Sequence, residues 1–257
     1  MAPSSKHRFS KRITIGLVVA LTHLLSYQNG LASDNRPDIG HVGLQNLLGG
    51  TVPTGAGVRV TQVEAAINDT SGGARPIYMP DPADFQFIGK TITPFDGNPS
   101  GSYSAHATSV GGLFYGNTAA IAPGVTQIDS FDANGWINSL YNATPGPGFG
   151  AATVSPSRIA NHSWVGGGTD PTNDGTILRL VDRQVSVNEY IQVVAAPANN
   201  LSPLLGSAYN MITVGRTDGV HDIGSHGIPG DGIYTAGRAK PDLVAPVNST
   251  SGATPLV

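Results

Sequence analysis

A rhythm of short apolar runs separated by helical stretches constrains this chain most. Val58–Glu64, Gln127–Phe131, Arg158–Trp164, Tyr190–Ala196 and Met211–Val214 read as strands. The Tyr190–Ala196 run is apolar on both faces, as in a parallel strand covered from both sides. Between the runs, Ala105–Tyr115 is small and apolar and predicts a buried helix beginning near His106. Gly135–Tyr141 predicts a short helix, and Ile177, Leu178, Leu180, Val181 and Val185 have helical spacing. An earlier helix is expected over Asp38–Leu48, ended by Gly49-Gly50. Strands alternating with helices imply an α/β fold with a mostly parallel central sheet and helices on both faces. Residues 68–103 are rich in Gly, Pro, Asp and Ser and read as long surface loops with little regular structure; Pro145–Gly150 is a further loop. There is no internal repeat and no second domain.

The 257 residues suffice for one domain with a sizeable core. Lys and Arg number 14 against 17 Asp and Glu, a net charge of −3, so there is no basic footprint for nucleic acid or a membrane surface. Cysteine is absent, which excludes disulfides. Lys6, His7, Arg8, Lys11 and Arg12 precede an apolar run from Ile13 to Leu25, and Gly30-Leu31-Ala32 supplies small residues after it. That is the pattern of a signal peptide over 1–32, cut after Ala32, with a retained signal anchor as the alternative. The expected location is secreted or periplasmic, with 33–257 as the folded domain. No other stretch is long and apolar enough to span a bilayer.

Four segments place reactive side chains at the ends of predicted elements. Val58–Glu64 closes a strand on a carboxylate, and parallel sheets bind ligands at the carboxyl ends of their strands; a surface acid in a turn is the plainer reading. His106 opens a helix of small residues, where a histidine is more often structural. Val193–Asn200 ends a buried strand in small residues and then asparagine, which suits either an oxyanion donor or a simple turn. Ser251 lies in a Ser/Thr/Gly cluster after Lys240-Pro241-Asp242-Leu243-Val244-Ala245-Pro246, as a nucleophile at a helix start or as a loop residue.

Taken in this order, the segments resemble the subtilisin-like serine proteases. Lys240–Pro246 followed by Thr250-Ser251-Gly252-Ala253-Thr254-Pro255 is similar to the family's nucleophile block, and His106-Ala107-Thr108-Ser109-Val110-Gly111-Gly112 to its histidine block. Ala195–Asn199 resembles the oxyanion strand, and Asn161–Gly166 the strand that pairs with substrate. Ala120–Gly124 and Tyr209–Gly215 match further family segments. The resemblance implies a three-layer subtilisin-like fold and a monomeric serine endopeptidase acting on polypeptides. It assigns Ser251 as nucleophile, His106 as base, Glu64 as the acid, Asn199 as oxyanion donor, and Ser163, Trp164 and Gly166 as substrate-binding. No cofactor is implied. Structural calcium is common in the family, but no Asp-rich loop here has a ligand spacing and the histidines lack zinc spacing.

The departures are specific. Glu64-Ala65-Ala66 stands where the family has aspartate followed by Ser/Thr and Gly; Asp69, before Thr70, is the rival acid. Ser249 replaces a glycine, and Gly252 replaces a bulkier residue at the helix start. The loop Val247-Asn248-Ser249 is short. Val257 comes six residues after Ser251, which reads as a C-terminally incomplete domain; if the chain were the whole molecule, Ser251 would sit on a fraying end. No long propeptide is visible. These departures keep open a catalytically impaired peptide-binding or structural module. An α/β-hydrolase is disfavoured by the lack of Gly-x-Ser-x-Gly, and a zinc metalloprotease by the lack of His-Glu-x-x-His.

Overall fold

A computed structural model describes residues 34–69, 75–95, 97–98, 100–142, 156–167, 170–198 and 204–257. The elements run α1 (His41–Leu48), β1 (Arg59–Glu64), β2 (Ile67–Asp69), β3 (Arg75–Ile77), β4 (Thr91–Pro94), α2 (Ala105–Phe114) and β5 (Gln127–Asp132). They continue with α3 (Ala133–Asn142), β6 (Ile159–His162), α4 (Pro171–Asn188), β7 (Ile191–Ala195), β8 (Ile212–Arg216), β9 (Leu243–Ala245) and α5 (Thr250–Ala253). Among the described residues, seven strands form one sheet in the order β4-β5-β1-β6-β7-β8-β9, and every pairing is parallel. β2 and β3 make a separate antiparallel ribbon. The fold is α/β with a parallel sheet between helical layers, as the apolar runs imply.

Alternation along the strands sorts the core onto two faces. Val63 and Val194 join Trp136, Ile137 and Leu140 of α3 and Ile177, Leu178 and Val181 of α4. On the other face, Val60 and Ile128 meet Phe114 and Tyr115 at the end of α2, while Val193, Val214 and Ala245 meet Ala253 and Leu256. The helix α2 joins β4 to β5, and α3 joins β5 to β6, both moving the same way across the sheet. They lie over opposite faces, so these two crossovers have opposite hands. Parallel crossovers are almost always right-handed. The exception brings His106 to the face that carries Gln62 and Glu64.

Two sequence expectations need correction. Residues 68–103 are not only loop: β4 pairs with β5 at the sheet edge, from Thr91↔Gln127 to Pro94↔Ser130, and β2 and β3 pair with each other. The end of the chain does not fray. Ala253, Thr254, Pro255 and Leu256 are all buried, against α2 and the sheet. Tertiary burial supplies what so short a helix lacks by itself.

Candidate active site

Because successive strand side chains alternate, Val60, Gln62 and Glu64 share one face of β1. Glu64 is the last residue of the strand, only 1% exposed. Val63 pairs with His162, so Glu64 and Ser163 stand level at the carboxyl ends of adjacent strands. This rim is where α/β sheets gather ligands.

His106 reaches the same rim from α2. Ser104 caps that helix, its hydroxyl accepting from the Ala107 N–H at 3.2 Å. Small buried residues at Ala107 and Gly111 let the helix lie close to β1. His106 Nδ1 lies 2.8 Å from Glu64 Oε2. Nδ1–H donates to the carboxylate, leaving the lone pair on Nε2, which has no hydrogen bond among the described residues. The His106 side chain is 37% exposed and Glu64 is not, so the pair has a buried anchor and an open working edge. Burial pulls the imidazole pKa down, but the charge of Glu64 and its hydrogen bond outweigh this, and the net shift is upward from 6.5.

Ser251 is the second residue of α5. The Ser249 hydroxyl caps this helix, accepting from the Gly252 N–H at 3.0 Å. A Cβ at position 252 would sit 3.0 Å from that hydroxyl, so glycine there leaves room for the cap. Both departures from the family pattern therefore belong to one capping arrangement. Ser251 and Ser163 are cross-linked: Ser163 Oγ donates to the Ser251 carbonyl at 2.9 Å, and Ser251 Oγ donates to the Ser163 carbonyl at 3.2 Å. Asn161 Nδ2 donates to Ser163 Oγ at 2.8 Å. Helices α2 and α5 pack together, with Leu113 against the cluster that holds Ala253. Among the described residues, no hydrogen bond joins Ser251 to His106.

The other residues of interest divide. Trp164 is buried in the core, its indole N–H donating to His162 Nδ1 at 3.3 Å. His162 Nε2 in turn faces Gln192 Oε1 at 3.0 Å. With a donor on Nδ1, the His162 proton sits on Nε2, and burial holds its pKa down to about 3. Gly166 is buried, and its carbonyl accepts from the Leu204 N–H. Asn199 lies outside the described residues, as do the signal segment and Pro145–Gly150. Asp69 ends β2, five residues beyond Glu64, and Glu64 is the carboxylate bonded to His106. Among the described residues, no group of three or more His, Asp or Glu side chains could hold a metal, and no helix is long and apolar enough to cross a membrane.

Two site residues were not legible beforehand. Gln62 is fully buried; its Nε2 donates to Glu64 Oε1 at 2.8 Å and to the Ala107 carbonyl at 2.9 Å. Tyr115, also fully buried, donates its hydroxyl to Gln62 Oε1 at 2.5 Å. The only sequence signal was a polar residue two before Glu64 in a strand otherwise fit for the core.

No protein-family model and no curated protein matches the chain. Solved structures do show similarity. A prenylagaramide maturation protease, PagA, is 16% identical with a TM-score of 0.49, over 83% of this chain and 76% of that one. A cold-adapted subtilisin-like serine proteinase is 19% identical with a TM-score of 0.48, over 79% and 73%. These neighbours are proteases. A Pseudomonas sedolisin, a serine-carboxyl proteinase, follows at 16% identity and a TM-score of 0.42, over 80% and 74%. Likenesses this weak add no weight to the geometry, and the functional reading rests on Glu64, His106, Ser163 and Ser251.

Proposed function

We propose that this chain is a secreted or periplasmic serine endopeptidase of the subtilisin-like kind. The observation that supports it is the 2.8 Å contact between His106 Nδ1 and the buried Glu64 at a strand-end rim, with α2 packed against the short helix that carries Ser251 in its first turn. Glu64 holds the imidazole in the tautomer with a free Nε2. The Ser251 hydroxyl turns from the Ser163 carbonyl to that nitrogen, gives up its proton and attacks the scissile carbonyl. The imidazolium then protonates the leaving amine. Water repeats the sequence on the acyl-enzyme. The Asn199 amide and a backbone N–H at the start of α5 stabilise the oxyanion. Substrate lies extended along Ser163–Gly166, a role for main chain, since the Trp164 indole is packed inward. The chemistry needs no cofactor.

One observation favours a second reading. The Ser251 hydroxyl is bonded to the Ser163 carbonyl and not to His106, as in a peptide-binding module without turnover. Resting enzymes often lack the productive contact as well. A fluorophosphonate probe separates the two. Labelling of Ser251 that disappears in Ser251→Ala and falls sharply in His106→Ala supports the protease. A folded protein that takes up no label supports the module.

A further inference from the structure

We propose that Gln62, braced by Tyr115, is a positioning residue that fixes the Glu64 carboxylate against His106. This rests on the protease reading of the site. The amide is fully committed. Both of its N–H groups have acceptors, Glu64 Oε1 and the Ala107 carbonyl, and its oxygen takes the Tyr115 hydroxyl. The Ala107 carbonyl accepts only a donor and the tyrosine hydroxyl supplies one, so the amide cannot flip. Held in this orientation, the amide presents an N–H to Glu64 Oε1. With Oε1 held by Gln62 and Oε2 facing Nδ1, both carboxylate oxygens are tied and the plane of the group is set.

Three further observations fit a built device. Gln62 is anchored to Ala107, the neighbour of His106 on α2, so acid and base are referenced to the same helical turn. Tyr115 is completely buried, and both burial and the nearby Glu64 raise its pKa well above 10, which keeps it a donor. Space for it comes from Gly111: a Cβ there would lie 2.6 Å from the Tyr115 hydroxyl oxygen and 3.1 Å from Gln62 Oε1. Any side chain at 111 would displace the brace.

The test uses the full chain and the variants Gln62→Leu and Tyr115→Phe, with circular dichroism to show that each is folded. Peptidase kinetics against pH and NMR titration of the His106 ring are the readouts. Gln62→Leu is expected to lower kcat/KM about 10–100-fold, the range for losing a hydrogen bond to a charged group. The loss falls on kcat, with KM nearly unchanged, and the apparent His106 pKa drops as Glu64 loosens. Tyr115→Phe shows the same shift at about 3–10-fold, and it decides the matter if Gln62→Leu does not fold. An unmoved His106 titration in a folded variant overturns the proposal, even where activity falls. If the parent chain hydrolyses nothing, the protease reading fails, while the titration still decides whether Gln62 positions the pair.

Discussion

Replacing Glu64 with glutamine keeps the shape of the side chain and removes its charge. The surrounding bonds then conflict. If the new amide turns its oxygen to His106, its NH2 faces Gln62 Nε2, donor against donor. Gln62 cannot rotate to relieve this, because its own oxygen is taken by Tyr115 and its nitrogen by the Ala107 carbonyl. If the amide turns its NH2 to His106 instead, Nδ1 must accept and the proton moves to Nε2, the nitrogen needed as base. The lost attraction can be sized. Two charges about 4 Å apart at an effective dielectric near 20 interact by about 4 kcal/mol. The imidazole is 37% exposed, so screening reduces this to about 2–3 kcal/mol. That is roughly 30–150-fold in rate, and a mispopulated tautomer raises the total to about 10³–10⁴-fold. Steady-state hydrolysis of a peptide amide measures it, with the His106 ring titration alongside. A Glu64→Gln enzyme within about twofold of the parent would refute the reasoning, as would a His106 pKa that stays raised.

The remaining expectations concern pH and packing. Activity needs neutral His106, so the acid limb of kcat/KM has its midpoint above 6.5, and Glu64→Gln moves it down. The same upward shift means the ion pair's stabilisation is fully present below about pH 6.5 and is lost as pH rises through the folded value; the parent's melting temperature relative to His106→Ala follows it. His162 has the opposite sign. Its folded pKa near 3 lies below 6.5, so stability falls by up to roughly 5 kcal/mol as pH drops through that window, and His162→Gln flattens the acid side of the thermal profile. Leu256→Ala removes a buried side chain at the chain's end and is expected to cost about 2–4 kcal/mol, or roughly 5–15 °C by calorimetry. An unchanged melting temperature would restore the expectation of a frayed terminus.

Most of the legible strands are buried on both faces; β5, whose residues alternate between buried and part-buried, is the exception. β1, β7 and β8 carry mostly apolar or β-branched residues because both their faces are covered, and pattern alone finds such segments. β4 escaped because it is an edge strand with alternately exposed residues, Thr91 to Pro94, and a proline that needs no ladder donor there. Its neighbours are Gly, Pro and Asp, which read as loop. The end of the chain departs from its local pattern for a related reason. Helix propensity is local, but Ala253 and Leu256 are held by Val193 and Val214 on strands far earlier in the chain, along with Ala245 of β9. Glu64, His106 and Ser251 stood out because each ends or opens an element. The bonds that join them to partners elsewhere, Glu64 to His106 and Ser251 to Ser163, span tens of residues and leave no local mark.

Polar residues at core positions are where pattern reading and structure part for a reason. Ser130, Gln62 and Asn161 pair across three adjacent strands and are all buried. In a sheet stabilised only by packing, such a row would be apolar, since an unpaired buried amide costs more than a hydrogen bond returns. Here Gln62 holds Glu64, and Asn161 holds Ser163, which in turn holds the Ser251 carbonyl. Gln62 and Asn161 therefore support the acid on one side and the serine on the other, while the Ser130 hydroxyl has no hydrogen-bond partner among the described residues. A glutamate is one methylene longer than an aspartate and has one more torsion to lose on being held. A rigid amide on the same strand removes that freedom before substrate arrives. On the proposed reading, the buried glutamine thus offsets the extra freedom that the longer acid brings.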